Sequence, residues 1–253
     1  MDFRQDTYQN DSRHYENLSS GSNNSSVGSA NALLSTLPPQ IHTALGPSLK
    51  HVILRKEEFI YQEEDRLDYL YFPLTAVVSE FKMLDDGRMV EIAVTGKEGA
   101  VGLSSIFAGS HVAPNYTQVS QAGTANRVDA DVFAKLLRSN EKIRTDLSHF
   151  VDLYIRQISQ KAICNMYHSV KERLCTWLLM LQDRCGRQLL NLTHEQIART
   201  LGVYRPSITC IAQELRESKL INYSRGGILL RDRSRIEASA CSCYSELCSS
   251  QVY

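Results

Sequence analysis

The sequence predicts an α+β fold with an N-terminal β-barrel, a long helix and a C-terminal winged helix-turn-helix. Three observations carry this. Short alternating apolar runs broken by turn residues fill positions 49–127, a helical apolar period takes over after Asp131, and residues 192–221 read as two capped helices around a glycine.

With 253 residues, 43% of them hydrophobic, the chain is long enough for two domains with separate cores. The formal net charge is zero, yet it is unevenly spread: from Arg184 to Arg235 there are ten Lys/Arg against four Asp/Glu. That local excess is what a nucleic-acid-binding segment needs, since phosphate attraction acts locally. No run of about 18 apolar residues provides a membrane span, and the N-terminus lacks the apolar stretch of a signal peptide. A cytoplasmic protein is expected, with no membrane contact.

Residues 1–30 are rich in Ser, Asn, Gly and Gln, too polar to offset the entropy of ordering, and read as a flexible tail. The barrel is expected over 31–138. Its clearest element is a hairpin, AVVSEFKML and MVEIAVT joined by DDGR, in which Asp86-Gly87 supplies the positive-φ turn. LDYLYF and NYTQVSQAG read as further strands.

Over 139–168 the spacing of Ile143, Leu147, Phe150, Tyr154 and Ile158 predicts a long helix with one apolar stripe. About 25 helical residues span nearly 40 Å, more than a small barrel needs, so pairing with a second copy is expected to bury the stripe. A helix from Val170 to Gln182 follows, with Gly186 as its stop, and opens the DNA-binding domain, 169–253.

Within that domain the residues LTHEQIARTLGVYRPSITCIAQELRESKLI have mechanical roles. Thr193 and Gln196 form a capping box. Ile197, Ala198 and Leu201 supply a buried face, and Gly202 makes the turn. Tyr204 is the next N-cap, Pro206 sits in the first turn where a missing N–H is harmless, and Ile208, Ile211, Ala212 and Leu215 form the second apolar face. The opposite face presents Arg205, Ser207, Thr209, Cys210 and Gln213 for groove reading, with His194 beside them. Arg205 can donate two hydrogen bonds to guanine, while Ser207 and Thr193 suit phosphate oxygens. INYS, RGG and ILLRD read as a wing bringing Arg225 to the backbone.

The seven cysteines all follow residue 160 and read as reduced thiols. No CxxC pair or suitably spaced histidine accompanies Cys241, Cys243 and Cys248, so no metal site is expected. No nucleophile, base and orienting group can be assembled from spacing, which argues against an enzyme.

The succession of tail, barrel, long helix and winged helix-turn-helix resembles the Crp/Fnr superfamily of bacterial transcription regulators. Over about residues 32–240, the helix-turn-helix and the segment KEEFIYQEEDRLDYLYFPLTAVVSEF carry the likeness. It implies a cupin-like, cyclic nucleotide-binding-like barrel, a homodimer and a palindromic operator, with RNA polymerase or another regulator as partner. By resemblance Arg205 matches the guanine-reading arginine, and Thr193, Tyr204 and Ser207 match N-cap or phosphate-contacting positions.

Departures bear on the effector. Cyclic-AMP binders in this superfamily resemble one another in a Gly-Glu-Leu loop followed by Arg-Ser; here GLSSIF stands there, and Glu98–Asn126 contains no Lys or Arg. Burying a cyclic phosphate without a cationic partner costs several kcal/mol, on the order of 2–7. Cyclic AMP is therefore not expected. An iron–sulfur cluster is not expected because no cysteine precedes Cys164, and haem finds no axial pair among scattered histidines. The effector that the remaining groups suit is cyclic di-GMP, with guanidinium and planar groups from Arg4, Tyr8, Arg13 and Tyr15 in the tail and Arg231, Arg233 and Arg235 near the C-terminus. Such a second-messenger receptor, acting chiefly through protein partners, is the alternative to a DNA-binding regulator.

Overall fold

A computed structural model describes residues 31–224 and 227–249. Two short helices, α1 (Ala32–Thr36) and α2 (Pro39–Leu45), lead into the strands. Asn31 anchors this start: its side-chain oxygen caps α1, and its amide donates to the carbonyls of Pro73 and Gly99, both at 2.9 Å.

The strands are β1 (Lys50–Leu54), β2 (Phe59–Tyr61), β3 (Tyr69–Pro73), β4 (Val77–Met83) and β5 (Met89–Thr95), then helix α3 (Leu103–Phe107), then β6 (Tyr116–Gln121) and β7 (Gly123–Asp129). They form two antiparallel sheets, ordered β1-β7-β3 and β2-β6-β4-β5. The expected barrel is thus not one closed ladder but a jelly-roll-like pair of sheets. The chain crosses between the sheets from β1 to β2, from β2 to β3, from β3 to β4 and from β6 to β7, and bulges interrupt the pairings of β2 and β4. The predicted hairpin is β4–β5, with Gly87 at φ 82° in its turn. GLSSIF, a loop by resemblance, is mostly the helix α3.

The long helical segment is two helices. α4 (Ala130–Ser139) ends at Asn140, whose extended backbone (φ −138°, ψ 101°) breaks the helix while its side chain caps α5 (Glu141–Tyr167). The apolar stripe is not free along its length, as expected for a dimer seam. Ile143, Leu147 and Phe150 are buried in the core of their own sheets, and Tyr154 donates to Glu80 at 2.7 Å. Phe150 packs so tightly that a Cβ on Gly99 would lie 2.4 Å from its ring. Further along, Ile158 is half-buried, and Ile155, Ala162, Ile163 and Met166 face outward, with Ile155 56% and Met166 74% exposed.

The C-terminal part comprises α6 (Val170–Cys185), β8 (Leu189–Leu190), α7 (His194–Leu201), α8 (Arg205–Glu217), β9 (Ile221–Ser224), β10 (Gly227–Leu230), α9 (Arg233–Ala238) and α10 (Cys243–Ser249). A small sheet, β8-β10-β9, forms the wing, and a second hydrophobic core joins α6, α7 and α8. That core includes Val77 and Val94 from the N-terminal sheets, so the two halves are packed together.

Polar contacts reinforce this junction. The fully buried Glu91 on β5 accepts from Ser79 at 2.6 Å and from Trp177 Nε1 at 3.1 Å, and pairs with Lys161 of α5. Arg184 is also buried and pairs with Glu98 at 2.8 Å. Arg199 of α7 donates to Gln118 at 2.9 Å, and Gln196 to Glu57.

Candidate nucleic-acid interface

The helix-turn-helix forms because each boundary is fixed locally. Thr193 Oγ1 accepts from Gln196 N at 3.2 Å while Gln196 Oε1 accepts from Thr193 N at 2.9 Å, the reciprocal capping box. Gly202 ends α7 at φ 64°, and Val203 N then bonds the Ala198 carbonyl at 2.9 Å. The helix α8 opens at Tyr204 with Pro206 in its first turn and no side-chain cap.

The two helices divide the work. Ile197, Ala198 and Leu201 of α7 and Ile208, Ala212 and Leu215 of α8 are buried against each other and α6. Outward from α8 stand Arg205, Ser207, Thr209, Cys210 and Gln213, all exposed, with Tyr204 83% exposed at its start. Because α7, not α8, lies against β5, packing onto the N-terminal sheets leaves the reading face open.

Two of the expected contact residues also bond within the chain. His194 Nδ1 lies 3.0 Å from Thr209 Oγ1 and its Nε2 lies 2.7 Å from Tyr223 Oη, so the imidazole bridges α7, α8 and β9. Burial, and secondarily the charge of Arg205, lowers its pKa and favours the neutral ring. Thr209 also donates to the Arg205 carbonyl at 3.2 Å. This triad ties the reading helix to α7 and β9. Gln213 donates to Glu217 at 2.9 Å, and Thr193's side-chain oxygen accepts within its cap.

Among the residues assigned to an effector, Arg4, Tyr8, Arg13 and Tyr15 lie outside the described residues, as does Arg225 of the wing. Arg233 is committed within the chain, pairing with Asp183 at 2.7 Å and Glu237 at 2.8 Å and donating to Gln182 at 2.7 Å. Arg231 and Arg235 are exposed. In the first half, Leu103 is fully buried in the core, and Arg127, the first cation after the Glu98–Asn126 span, lies 4.3 Å over the Tyr69 ring.

Sequence reasoning missed one cluster. Cys164, His168, Cys241 and Cys243 bring one ligand atom each to within 4.8 Å of the others, the metal-competent group among the described residues. The expectation that no histidine suits Cys241 and Cys243 is therefore corrected: His168 lies one helical turn beyond Cys164. Two weak signals could have found it, the i,i+4 spacing of Cys164 and His168 and the Cys-x-Cys of 241 and 243. Cys248 stays apart, its sulfur 3.8 Å from Asp183.

The geometry defines a class: a two-sheet β-domain joined by a long helix to a winged helix-turn-helix. Comparison with known families agrees, with residues 51–140 matching the cyclic nucleotide-binding domain and residues 172–239 the Crp-like helix-turn-helix domain. The chain is thus of the Crp/Fnr type of DNA-binding transcription regulator, and neither matched domain is a catalytic one. It is similar to the anaerobic regulatory protein of Bacillus subtilis (strain 168), at 22% identity over 208 residues, 77% of this chain and 86% of that protein. FixK2 from Bradyrhizobium japonicum shares the fold with a TM-score of 0.65 and 20% identity, covering 77% of this chain and 98% of that one. The c-di-GMP responsive global regulator CLP of Xanthomonas campestris matches with a TM-score of 0.58 and 15% identity, covering 73% and 94%.

Proposed function

We propose that this chain is a sequence-specific regulator that reads DNA through the exposed face of α8 as a homodimer, under an effector other than cyclic AMP. The observation that carries it is the exposure of Arg205, Ser207, Cys210 and Gln213 on one face of a helix whose other face is buried. Arg205, in the first turn, is the groove-reading cation. Ser207 and Thr193 supply phosphate donors, and the two half-sites lie about one helical turn, roughly 34–36 Å, apart.

Selection from random duplexes tests this. We expect enrichment of a two-fold symmetric site and a drop in its affinity on Arg205→Ala, by about 1–3 kcal/mol, or roughly fivefold to 150-fold. Recovery of no sequence at modest salt, or unchanged affinity in the variant, would overturn the reading.

For the effector, the cation-free span from Glu98 to Asn126 and the burial of Leu103 speak against a cyclic phosphate beside α3. Cyclic di-GMP is the ligand we put forward, on Arg231 and Arg235 with the tail's cations and rings; CLP, of similar fold, is c-di-GMP responsive. Calorimetry against cyclic AMP, cyclic GMP and cyclic di-GMP separates these. Heat with cyclic AMP would refute the account of the loop, and silence with cyclic di-GMP would refute that ligand. RNA polymerase or another regulator is the protein partner this role calls for.

A further inference from the structure

The end of α5 and the segment between α9 and α10 meet outside both matched domains, which stop at residue 140, resume at 172 and end at 239. There Cys164 Sγ lies 3.4 Å from Cys241 Sγ, and Cys243 Sγ lies 3.4 Å from His168 Nδ1. The three thiols are buried and the imidazole is partly exposed. We infer that Cys164, His168, Cys241 and Cys243 form a closed tetrahedral site for one thiophilic divalent cation, zinc by its chemistry, that clamps the DNA-binding unit to the long helix.

The donor spacing decides the kind of metal centre. Zinc bonds of about 2.3 Å to sulfur and about 2.0–2.1 Å to nitrogen set tetrahedral donors about 3.6–3.8 Å apart, near the 3.4 Å of the Cys164–Cys241 and Cys243–His168 pairs and inside the 4.8 Å that spans all four. An iron–sulfur cluster puts its ligands on different iron atoms and needs donors spread further. Three thiolates and an imidazole favour zinc over magnesium or calcium, which take oxygen ligands.

The surroundings are those of a built site. Gln160 Nε2 donates to Cys243 Sγ at 3.0 Å. Thr176 Oγ1 accepts from Cys241 N at 3.1 Å and lies 3.0 Å from Cys241 Sγ, so its O–H can point at the sulfur. Such outer hydrogen bonds fix ligand orientation and offset thiolate charge. Zinc with three thiolates carries one net negative charge, and Arg173 interacts electrostatically with both Cys164 and Cys241. Arg173 also donates to the Leu201 carbonyl at the end of α7, linking the site to the turn before α8. With four protein ligands and no open position the site is structural rather than catalytic. The site itself stands independently of the proposed function; its consequence for α8 rests on that reading.

The test uses the full chain, purified under reducing, chelator-free conditions and analysed for metal. One equivalent of zinc is expected. Cobalt(II) in its place should give thiolate charge-transfer absorption and the intense ligand-field bands of four-coordination. Cys164→Ser, His168→Ala and Cys243→Ser should each weaken cobalt binding by more than about tenfold, while Cys210→Ser and Cys248→Ser leave it unchanged. Because a lost clamp can also loosen the fold, alkylation of the unaltered chain gives a second readout. Chelation should make Cys164, Cys241 and Cys243 reactive while Cys210 reacts equally with and without metal. A six-coordinate cobalt spectrum, binding indifferent to the ligand substitutions, thiol reactivity unchanged by chelation, or acid-labile sulfide with iron would each overturn the proposal. Failure of DNA selection with an intact cobalt signature would instead sink the reading of α8 and leave the site standing.

Discussion

Glu80 is a carboxyl held where carboxylates are costly. It lies on β4, almost wholly buried, with Tyr154 Oη donating to its Oε2 at 2.7 Å and Asn115 Nδ2 at 2.9 Å. Burial raises its pKa above the ordinary 4.5, outweighing the two hydrogen bonds that act the other way. A raised carboxyl pKa means that its contribution to stability is fully present below about pH 4.5 and is lost as pH rises through the folded value. Glu80→Gln keeps an oxygen for both donors and removes the charge. It should raise the melting temperature at pH 7 by a few degrees, with the gain fading as pH falls to the unfolded carboxyl range; a variant less stable at every pH would contradict the sign. The period of the sequence placed Tyr154 on the apolar stripe of a long helix, but did not show that a buried acid awaits it. That pairing spans 74 residues, and hydrophobic spacing carries no information about polar partners.

At the level of elements, the boundaries of α7 and α8 were legible because they rest on contacts within a few residues. Gly202 is the sharpest case. A Cβ there would meet only Val90 Cγ2, at an ordinary 3.6 Å, so space is not what demands glycine; the φ of 64° is. Gly202→Ala should therefore cost about 1 kcal/mol of stability, read as a lower urea midpoint, and should weaken DNA affinity by tilting α8 against α7. An unchanged midpoint would mean that the turn tolerates a side chain in the left-handed region. The long helix expected over 139–168 is observed over Glu141–Tyr167; the separate α4 before it, ended by the extended backbone of Asn140, was not specified by the sequence because the apolar stripe begins only at Ile143. The roles of His194 and Thr209 were missed for a different reason: both are polar residues near the reading face, and only their mutual distance, with Tyr223, shows that they satisfy one another.

For the whole molecule, two seams matter. The inner one joins α5 and α6 to the N-terminal sheets through Glu91, Trp177, Lys161 and the Arg184–Glu98 pair, and α7 to them through Arg199 and Gln118. The outer one is the uncovered row on α5. Ile155, Ile163 and Met166 are 56%, 47% and 74% exposed, an apolar strip that an isolated chain leaves in water. Crp/Fnr regulators are typically dimers, and a second copy of α5 would bury this strip. Ile155→Glu should convert the dimer to monomers in sedimentation velocity while retaining the helical circular dichroism spectrum, and should weaken operator binding far more than Cys210→Ser. A wild-type chain already monomeric at micromolar concentration would refute the seam.

The sequence by itself determined the element types, the helix-turn-helix with its capping box and glycine turn, the exposed Arg205 and the absence of a cationic partner in the effector loop. These follow from local rules, in which periodicity selects a face and backbone sterics select a turn. Tertiary structure alone decided which half of the α5 stripe is already covered, that α7 rather than α8 lies on the sheets, and that Cys164 and His168 meet Cys241 and Cys243. Those facts depend on where distant segments cross, and the free energy that brings them together comes from the packing of two apolar cores. That packing fixes the paths of the chain without marking, in the order of residues, which polar side chains will arrive side by side.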